Sequence, residues 1–74
     1  MGKLPVVSGS EAKRAFERAG WLLARQKGSH MILKNEGSHI HLSVPDHDAL
    51  DRGTLRRLVR DAGLTVDEFL ELLP

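Results

Sequence analysis

The sequence predicts an α+β fold in which one helix precedes a three-stranded antiparallel sheet and two helices follow it. Apolar residues recur at helical spacing near both ends of the chain, whereas the central segment alternates apolar and polar residues. Two glycine-containing dipeptides divide that central segment into three parts, as the turns of consecutive hairpins would. The 74 residues leave room for one small hydrophobic core. We therefore expect a single domain over residues 1–74.

The first helix is marked at both ends. Residues 8–11 read Ser-Gly-Ser-Glu, the form of a capping box in which Ser8 and Glu11 satisfy each other's backbone N–H groups. Gly20 follows as a stop signal. The apolar positions between these signals are Ala12, Ala15, Phe16 and Ala19. The pattern predicts a helix that begins after Ser8 and ends before Gly20.

Three strands are expected next, over residues 21–27, 30–35 and 38–44. Gly28-Ser29 and Glu36-Gly37 separate them as two-residue hairpin turns. The acidic loop 45–53 then leads to a second helix that ends at Gly63. A third, short helix follows a second capping box, formed by Thr65 and Glu68. The apolar positions of these two helices are Leu55, Leu58, Val59, Ala62, Val66, Phe69, Leu70 and Leu73.

The two turns fix which side chains share a face of the sheet, because residues opposite each other point the same way. The first turn pairs Lys27 with His30 and Ala24 with Leu33, and the second pairs His30 with Ser43. The core-facing set is then Leu22, Ala24, Met31, Leu33, Ile40, Leu42 and Val44. The polar set is Arg25, Lys27, His30, Lys34, His39, His41 and Ser43, with His41 opposite Ile32.

Three apolar residues, Trp21, Leu23 and Ile32, fit this division poorly. Their positions predict either a β-bulge in the first strand or a partner that covers the polar face. Trp21 itself is expected to be a core anchor, since it follows a helix-ending glycine. With helices on one face and the other face open, the layout is that of a double-stranded-RNA-binding domain.

Composition narrows the function classes. The chain has no cysteine, which excludes a disulfide framework and a thiolate zinc site, and a reducing cytoplasm is expected. No apolar run approaches the roughly 20 residues that cross a bilayer, so we expect no membrane association.

The charge is distributed unevenly along the chain. Residues 1–34 hold seven Lys/Arg and two Glu (net +5), and residues 35–74 hold four Arg and eight Asp/Glu (net −4). A basic first half suits an anionic partner such as nucleic acid.

Short motifs occur in a fixed order along almost the whole chain. They are Leu4-Pro5, Ser8-Gly9, Gly20-Trp21, Gly28-Ser29-His30, Val44-Pro45-Asp46-His47, Gly53-Thr54-Leu55, Ala62-Gly63-Leu64 and Glu68-Phe69. In their order and spacing the chain resembles the HicA toxins, also called YcfA-like, which are small bacterial mRNA interferases of type II toxin–antitoxin pairs. The resemblance implies the double-stranded-RNA-binding-like fold, ribonuclease activity on mRNA, a HicB antitoxin as partner, and His30 as the catalytic residue.

The expected chemistry needs no metal, because RNA carries its own nucleophile in the 2′-hydroxyl. A neutral imidazole at His30 takes that proton while the oxygen attacks phosphorus. His41, His47 or water then supplies the proton to the leaving oxygen. His39 and His41 alternate on one strand but lack a third ligand, so neither a metal nor another cofactor is expected. The expected RNA contacts are Arg25, Lys27, Gly28, Ser29, Lys34 and His41, with His47 auxiliary and Arg56, Arg57 and Arg60 as further contributors.

Other interpretations of the sequence remain open. Taken alone, a histidine after a tight turn is more often a surface residue that completes the turn. The same fold also suits a non-catalytic RNA-binding module or a protein-interaction subunit that uses the open face. His30 favours the enzyme, because a phosphate-binding surface needs lysine and arginine and an interaction surface needs no titrating group.

Overall fold

The computed structural model describes residues 3–74 and has the predicted α+β layout. The three strands form one antiparallel sheet in the order β1-β2-β3. No helix within residues 3–74 has the length and apolar character that a membrane span requires. In chain order the elements are α1 (Gly9–Arg18), β1 (Leu22–Lys27), β2 (His30–Lys34), β3 (Leu42–Pro45), α2 (Arg52–Asp61) and α3 (Val66–Leu72).

Both predicted capping boxes are confirmed. The Ser8 N–H donates to Glu11 Oε1 (2.8 Å), and the Glu11 N–H donates to Ser8 Oγ (3.0 Å). Thr65 and Glu68 repeat this exchange at the start of α3. The second helix begins differently, since Asp51 is its N-cap and accepts a hydrogen bond from the Thr54 N–H (3.1 Å). Each helix therefore begins where a side chain satisfies its free backbone N–H groups.

The core lies between the helices and one face of the sheet. Met31 and Leu33 of β2 and Leu42 and Val44 of β3 point into it, as predicted. The rings of Phe16 and Phe69 pack with their centroids 5.2 Å apart and join α1 to α3. Trp21 is also buried, which confirms it as a core anchor. The other fully or nearly buried apolar residues are Leu4, Val7, Ala12, Ala15, Leu50, Leu55, Leu58 and Val59.

The first hairpin has the predicted register up to Arg25. Lys27 pairs with His30 across the Gly28-Ser29 turn, in which Gly28 has φ of +61°. Beyond Arg25 the register shifts, so that Leu23 rather than Ala24 pairs with Leu33. The expected bulge in the first strand is thus confirmed, and the Ala24–Leu33 pairing is wrong because Ala24 is the extra residue of the bulge.

Two of the expected core residues on β1, Leu22 and Ala24, are exposed, and Leu22 retains 69% of its accessible surface. The expectation that they are buried is wrong. The helical layer packs mainly over β3, which α1 and α2 both contact, and β1 is the strand farthest from β3. The helices cover β1 less fully, and all six of its residues are exposed. The bulge also places Leu22 opposite Lys34, which is on the solvent side of the sheet.

The second connection is longer than predicted. β3 begins at Leu42 rather than Ser38, and Leu33 pairs with Leu42 instead of Ile40. The pairing is displaced by two residues, which keeps Leu42 and Val44 on the core face but leaves Ile40 47% exposed. Ile40 as a core residue is therefore wrong. Glu36-Gly37 does form a turn, since the Ser38 N–H donates to the Asn35 carbonyl oxygen (3.0 Å), but the expectation that this turn alone joins the two strands is wrong.

The chain before α1 is joined to the loop after β3. The Gly9 N–H donates to the His47 carbonyl oxygen and the Leu50 N–H donates to the Val7 carbonyl oxygen, both at 2.8 Å. A Cβ atom at Gly9 would overlap the backbone carbonyl of Pro45. Only glycine fits this approach, so the start of α1 is held against the end of β3.

Candidate active site

His30 is the first residue of β2, directly after the Gly28-Ser29 turn. Its neighbours across the sheet are Lys27 on β1 and Pro45 on β3. Because the next residue, Met31, points into the core, His30 points to the other side of the sheet, and it is exposed. We call that side, which carries Arg25, Lys27, His30, Ile32 and Ser43, the open face.

One hydrogen bond orients the imidazole ring. His30 Nδ1 lies 3.2 Å from Ser43 Oγ on the neighbouring strand. The contact is diagonal, since Ser43 pairs with Ile32. It engages one ring nitrogen and leaves Nε2 on the free edge of the ring. The sequence placed Ser43 on the same face as His30 and assigned it no role. The direct pairing of His30 with Ser43 that the sequence predicted is wrong, because Pro45 occupies that position.

The turn before His30 is held by the segment that follows β3. The Asp46 N–H donates to the Ser29 carbonyl oxygen (2.7 Å). Gln26 Nε2 donates to the Gly28 carbonyl oxygen and to Asp46 Oδ2, both at 3.3 Å. The Gly-Ser-His and Val-Pro-Asp-His motifs therefore meet in space. Sequence reasoning missed Gln26 and Asp46 as members of this site. Asp46 was signalled only by its place in the Val-Pro-Asp-His motif, and nothing in the sequence pointed to Gln26.

Cations line the open face beside His30. Arg25, Lys34 and His41 surround a shallow cavity of about 370 Å³, together with Ala24 and Ile32. The ion pairs among residues 3–74 are Lys13–Glu17 and Arg60–Asp61. Arg25, Lys27 and Lys34 therefore have no carboxylate partner within the described chain. Their charge is available to an anion on this face.

His41 lies farther from His30 than the sequence predicted. Ser43, not His41, is opposite Ile32, so the expected Ile32–His41 pairing is wrong. Two residues before Ser43, His41 reaches the level of Lys34, which is roughly 13 Å along the strand from His30. The two histidines are thus not direct neighbours. His41 remains at the cavity with Arg25 and Lys34.

The other two histidines have different positions. His47 is exposed, and its backbone carbonyl accepts the hydrogen bond from Gly9 described above. His39 lies in the connection between β2 and β3, not on a strand as expected. Within residues 3–74, no three His, Cys, Asp or Glu side chains form a group that fits a metal ion.

A second and larger cavity, of about 610 Å³, lies at the start of β1. It adjoins the open face, because Ala24 and Lys34 line both cavities. Leu22 and Leu23, which are exposed, contribute its apolar lining. The remaining lining residues are Gly20, Asn35, Glu36 and Ser38.

Comparison with known proteins identifies a family. A family model described as "HicA toxin of bacterial toxin-antitoxin" matches residues 9–64, which is most of the chain and includes every residue of the site described above. A search of curated proteins finds no significant match.

Proposed function

Because the chain belongs to the HicA toxin family of bacterial toxin–antitoxin systems, we propose that it is an endoribonuclease that cleaves mRNA with His30 as its catalytic residue. The observation that carries this proposal is the orientation of His30. Its Nδ1 contacts Ser43 Oγ, its Nε2 edge is free, and it lies on a face whose cations lack carboxylate partners in residues 3–74. A histidine that only completed a turn would need neither the second-strand contact nor the surrounding charge.

The proposed reaction uses the neutral imidazole. When Nδ1 carries the proton and its N–H donates a hydrogen bond to Ser43 Oγ, the lone pair lies on Nε2. Nε2 accepts the proton of an RNA 2′-hydroxyl, and the 2′-oxygen forms a bond to the adjacent phosphorus. The bond from phosphorus to the 5′-oxygen breaks. The products are a 2′,3′-cyclic phosphate on one fragment and a 5′-hydroxyl on the other.

The leaving 5′-oxygen takes its proton from His47 or from water. A proton donor must lie within hydrogen-bond reach of the oxygen that it protonates, directly or through one water. His41 lies outside β3 beside Lys34, which is roughly 13 Å along β2 from His30, and it is too distant for this role. We assign His41 instead to RNA binding at the cavity that it shares with Arg25 and Lys34.

Lys27 is the proposed partner of the reacting phosphate. It pairs with His30 across the hairpin, so its ammonium group is available to the charge that develops on the phosphorane. The turn between them is open, since a Cβ atom at Gly28 would meet nothing within 4 Å. Gly28 and Ser29 therefore let an RNA backbone approach His30 closely.

The test is cleavage of a single-stranded RNA, in the presence of a chelator, by protein freed of its antitoxin. His30→Ala should lower the rate by about 10²- to 10⁴-fold, the usual contribution of general acid-base catalysis. The fold should persist because the side chain is exposed and its removal leaves no core cavity. His39→Ala, a matched change of an exposed histidine in the β2–β3 connection, should leave the rate unchanged.

Equal rates for His30→Ala and the parent would refute the catalytic assignment. Cleavage by the parent that disappears in chelator would indicate a metal-dependent reaction instead. Growth inhibition on expression gives a second measurement, since His30→Ala should relieve it while His39→Ala should not.

We further propose that the antitoxin is HicB-like and covers the open face. The uncovered apolar residues Leu22, Leu23 and Ile40 adjoin the cations of this face and suit a partner with apolar and acidic groups. Hydrogen exchange should show protection of residues 31–43 in the complex relative to the free chain. Unchanged exchange there would place the antitoxin elsewhere.

A further inference from the structure

The second helix carries a group of cations that the proposed active site does not use. Four of the ten residues of α2 are arginines, and its only acidic residue is Asp61. All four arginines are exposed. Arg60 approaches Asp61 at 3.9 Å with 77% of its side-chain surface exposed, which is a weak surface contact. Within residues 3–74 the other three have no carboxylate partner. We call Arg52, Arg56, Arg57 and Arg60 the arginine ridge.

Helical geometry gathers these side chains on one side of α2. Leu55, Leu58 and Val59 are buried against the core, and the arginines occupy the solvent side of the same helix. Arg52, Arg56 and Arg60 are spaced by four residues, so successive guanidinium groups are separated by roughly 6 Å along the axis. Such a row presents regularly spaced positive charge.

The ridge and His30 lie on different sides of the molecule. α2 packs on the core side of β3, whereas His30 is on the open face. A short loop nevertheless connects the active-site end of the sheet to the beginning of α2. Arg52 follows Pro45 by only seven residues, and Pro45 is opposite His30. The molecule measures 20 Å in its shortest dimension, a length that an extended single strand of RNA can span.

The chemistry of the ridge favours a phosphodiester backbone over a protein partner. All four cations are arginines, whose planar fork of donors matches phosphate oxygens. Arginine also occurs at protein interfaces, but there it accompanies a core of apolar and aromatic side chains. The exposed large apolar residues of the described chain, Val6, Leu22, Leu23 and Ile40, all lie outside α2.

We propose that the arginine ridge is a second RNA-binding site, which holds the phosphate backbone of the substrate outside the segment that reaches His30. The identity of the strand rests on the proposed ribonuclease function. The ridge itself rests on independent observations, namely its charge, the lack of a carboxylate partner at Arg52, Arg56 and Arg57 within residues 3–74, and its lack of apolar anchors. A ridge that binds RNA should increase the affinity for strands longer than the segment that fills the cleavage site.

The experiment compares a short oligonucleotide that fills only the site around His30 with a single-stranded RNA several times longer. Arg56→Gln/Arg57→Gln should weaken binding of the long RNA. It should also make the plot of log affinity against log salt shallower by about 0.7 for each phosphate that the variant no longer binds. Binding and cleavage of the short RNA should be unchanged. Lys3→Gln/Arg14→Gln, which removes equal charge from exposed positions outside α2, should leave the salt slope unchanged.

A charge-conserving variant separates the contribution of positive charge from that of the arginine donor geometry. Arg56→Lys/Arg57→Lys should retain the salt slope and lose part of the affinity, because lysine keeps the charge but not the fork. An unchanged slope in Arg56→Gln/Arg57→Gln would overturn the ridge, as would an equal decrease in affinity for short and long RNA. Loss of antitoxin binding with RNA binding intact would make the ridge a protein surface and would also overturn it. A parent that binds long RNA through the ridge but cleaves no RNA would overturn the proposed catalysis alone.

Discussion

The two faces of the sheet carry different kinds of side chain on the same strands. On the covered face Met31, Leu33 and Val44 are buried under the helices, whereas on the open face His30 and Ser43 are exposed and joined by a hydrogen bond. A chain of 74 residues has little room to separate its core from its site in sequence. Core residues and site residues instead alternate along each strand and point to opposite faces of the sheet. Substitutions of adjacent residues on one strand should therefore differ in their effects on stability and on the site.

The largest expected effect is on stability and contrasts two adjacent residues of β2. Leu33→Ala should lower the free energy of unfolding by about 2–5 kcal/mol, because Leu33 is fully buried and its removal leaves a cavity. Ile32→Ala, on the open face and half-buried, should cost about 1 kcal/mol or less. Urea denaturation of both variants measures the contrast. Equal decreases in the free energy of unfolding would mean that the covered and open faces contribute equally to stability.

The second prediction concerns the cations of the open face. Lys27→Ala and Lys34→Ala should each weaken RNA binding and make its salt dependence shallower by about 0.7 in slope. Lys13→Ala is the control, since Lys13 lies on α1 and pairs with Glu17 at 3.2 Å. Titrations of RNA at several salt concentrations give the slopes. A salt dependence that is flat in the parent would mean that RNA binding does not depend on phosphate contacts.

A smaller effect is expected at Ser43, whose hydroxyl contacts His30 Nδ1. Ser43→Ala should lower kcat by roughly 2- to 10-fold, the equivalent of one ordinary hydrogen bond, with little change in KM. Ser43→Thr keeps the hydroxyl and should restore most of the rate. Steady-state kinetics separates the two parameters. A change confined to KM, or no recovery with threonine, would show that the contact with Nδ1 does not orient the ring.

The two connections of the sheet show how far the sequence predicts the fold. The first has glycine at the leading turn position, where a positive φ is needed, and its register is predicted up to the bulge. In the second the leading residue is Glu36, and no residue other than glycine has a positive φ within the described chain. The Asn35 side chain accepts from the Gly37 N–H (3.2 Å), and Ser38 Oγ accepts from the Ile40 N–H (3.0 Å). These local bonds replace the expected strand pairing.

The candidate site is predictable from the sequence only in part. The Gly-Ser-His motif and the alternation of residues along the strands place His30 on an exposed, cationic face. The partners that hold it depend on the register of β3, which a turn pattern alone does not determine. A displacement of two residues places Pro45 instead of Ser43 opposite His30, makes the contact of Ser43 with His30 Nδ1 diagonal, and moves His41 away. Gln26 and Asp46 meet only because the loop after β3 folds back onto the first turn.

The smallest predicted effect belongs to the helical layer and depends on pH. The Ser8 backbone N–H holds the pKa of Glu11 below its ordinary value of 4.5, with lesser contributions from the Ser8 hydroxyl and the charge of Arg14. A carboxyl group with a lowered pKa in the folded state stabilises that state above its unfolded pKa. It loses this contribution as the pH falls through the folded pKa. Glu11 therefore adds stability at neutral pH that disappears in acid.

Glu11→Gln tests this, because the amide still accepts the Ser8 hydrogen bond but does not titrate. The parent should be more stable than Glu11→Gln at neutral pH, and the difference should close as the pH falls below about 4.5, the unperturbed value. Thermal unfolding at a series of pH values follows the difference. Glu71→Gln, at an exposed position of α3, controls for the loss of one negative charge. RNA cleavage should be equal in all three proteins, since α1 lies on the covered side of the sheet. A stability difference that widens in acid would show that Glu11 does not stabilise the helix as a carboxylate.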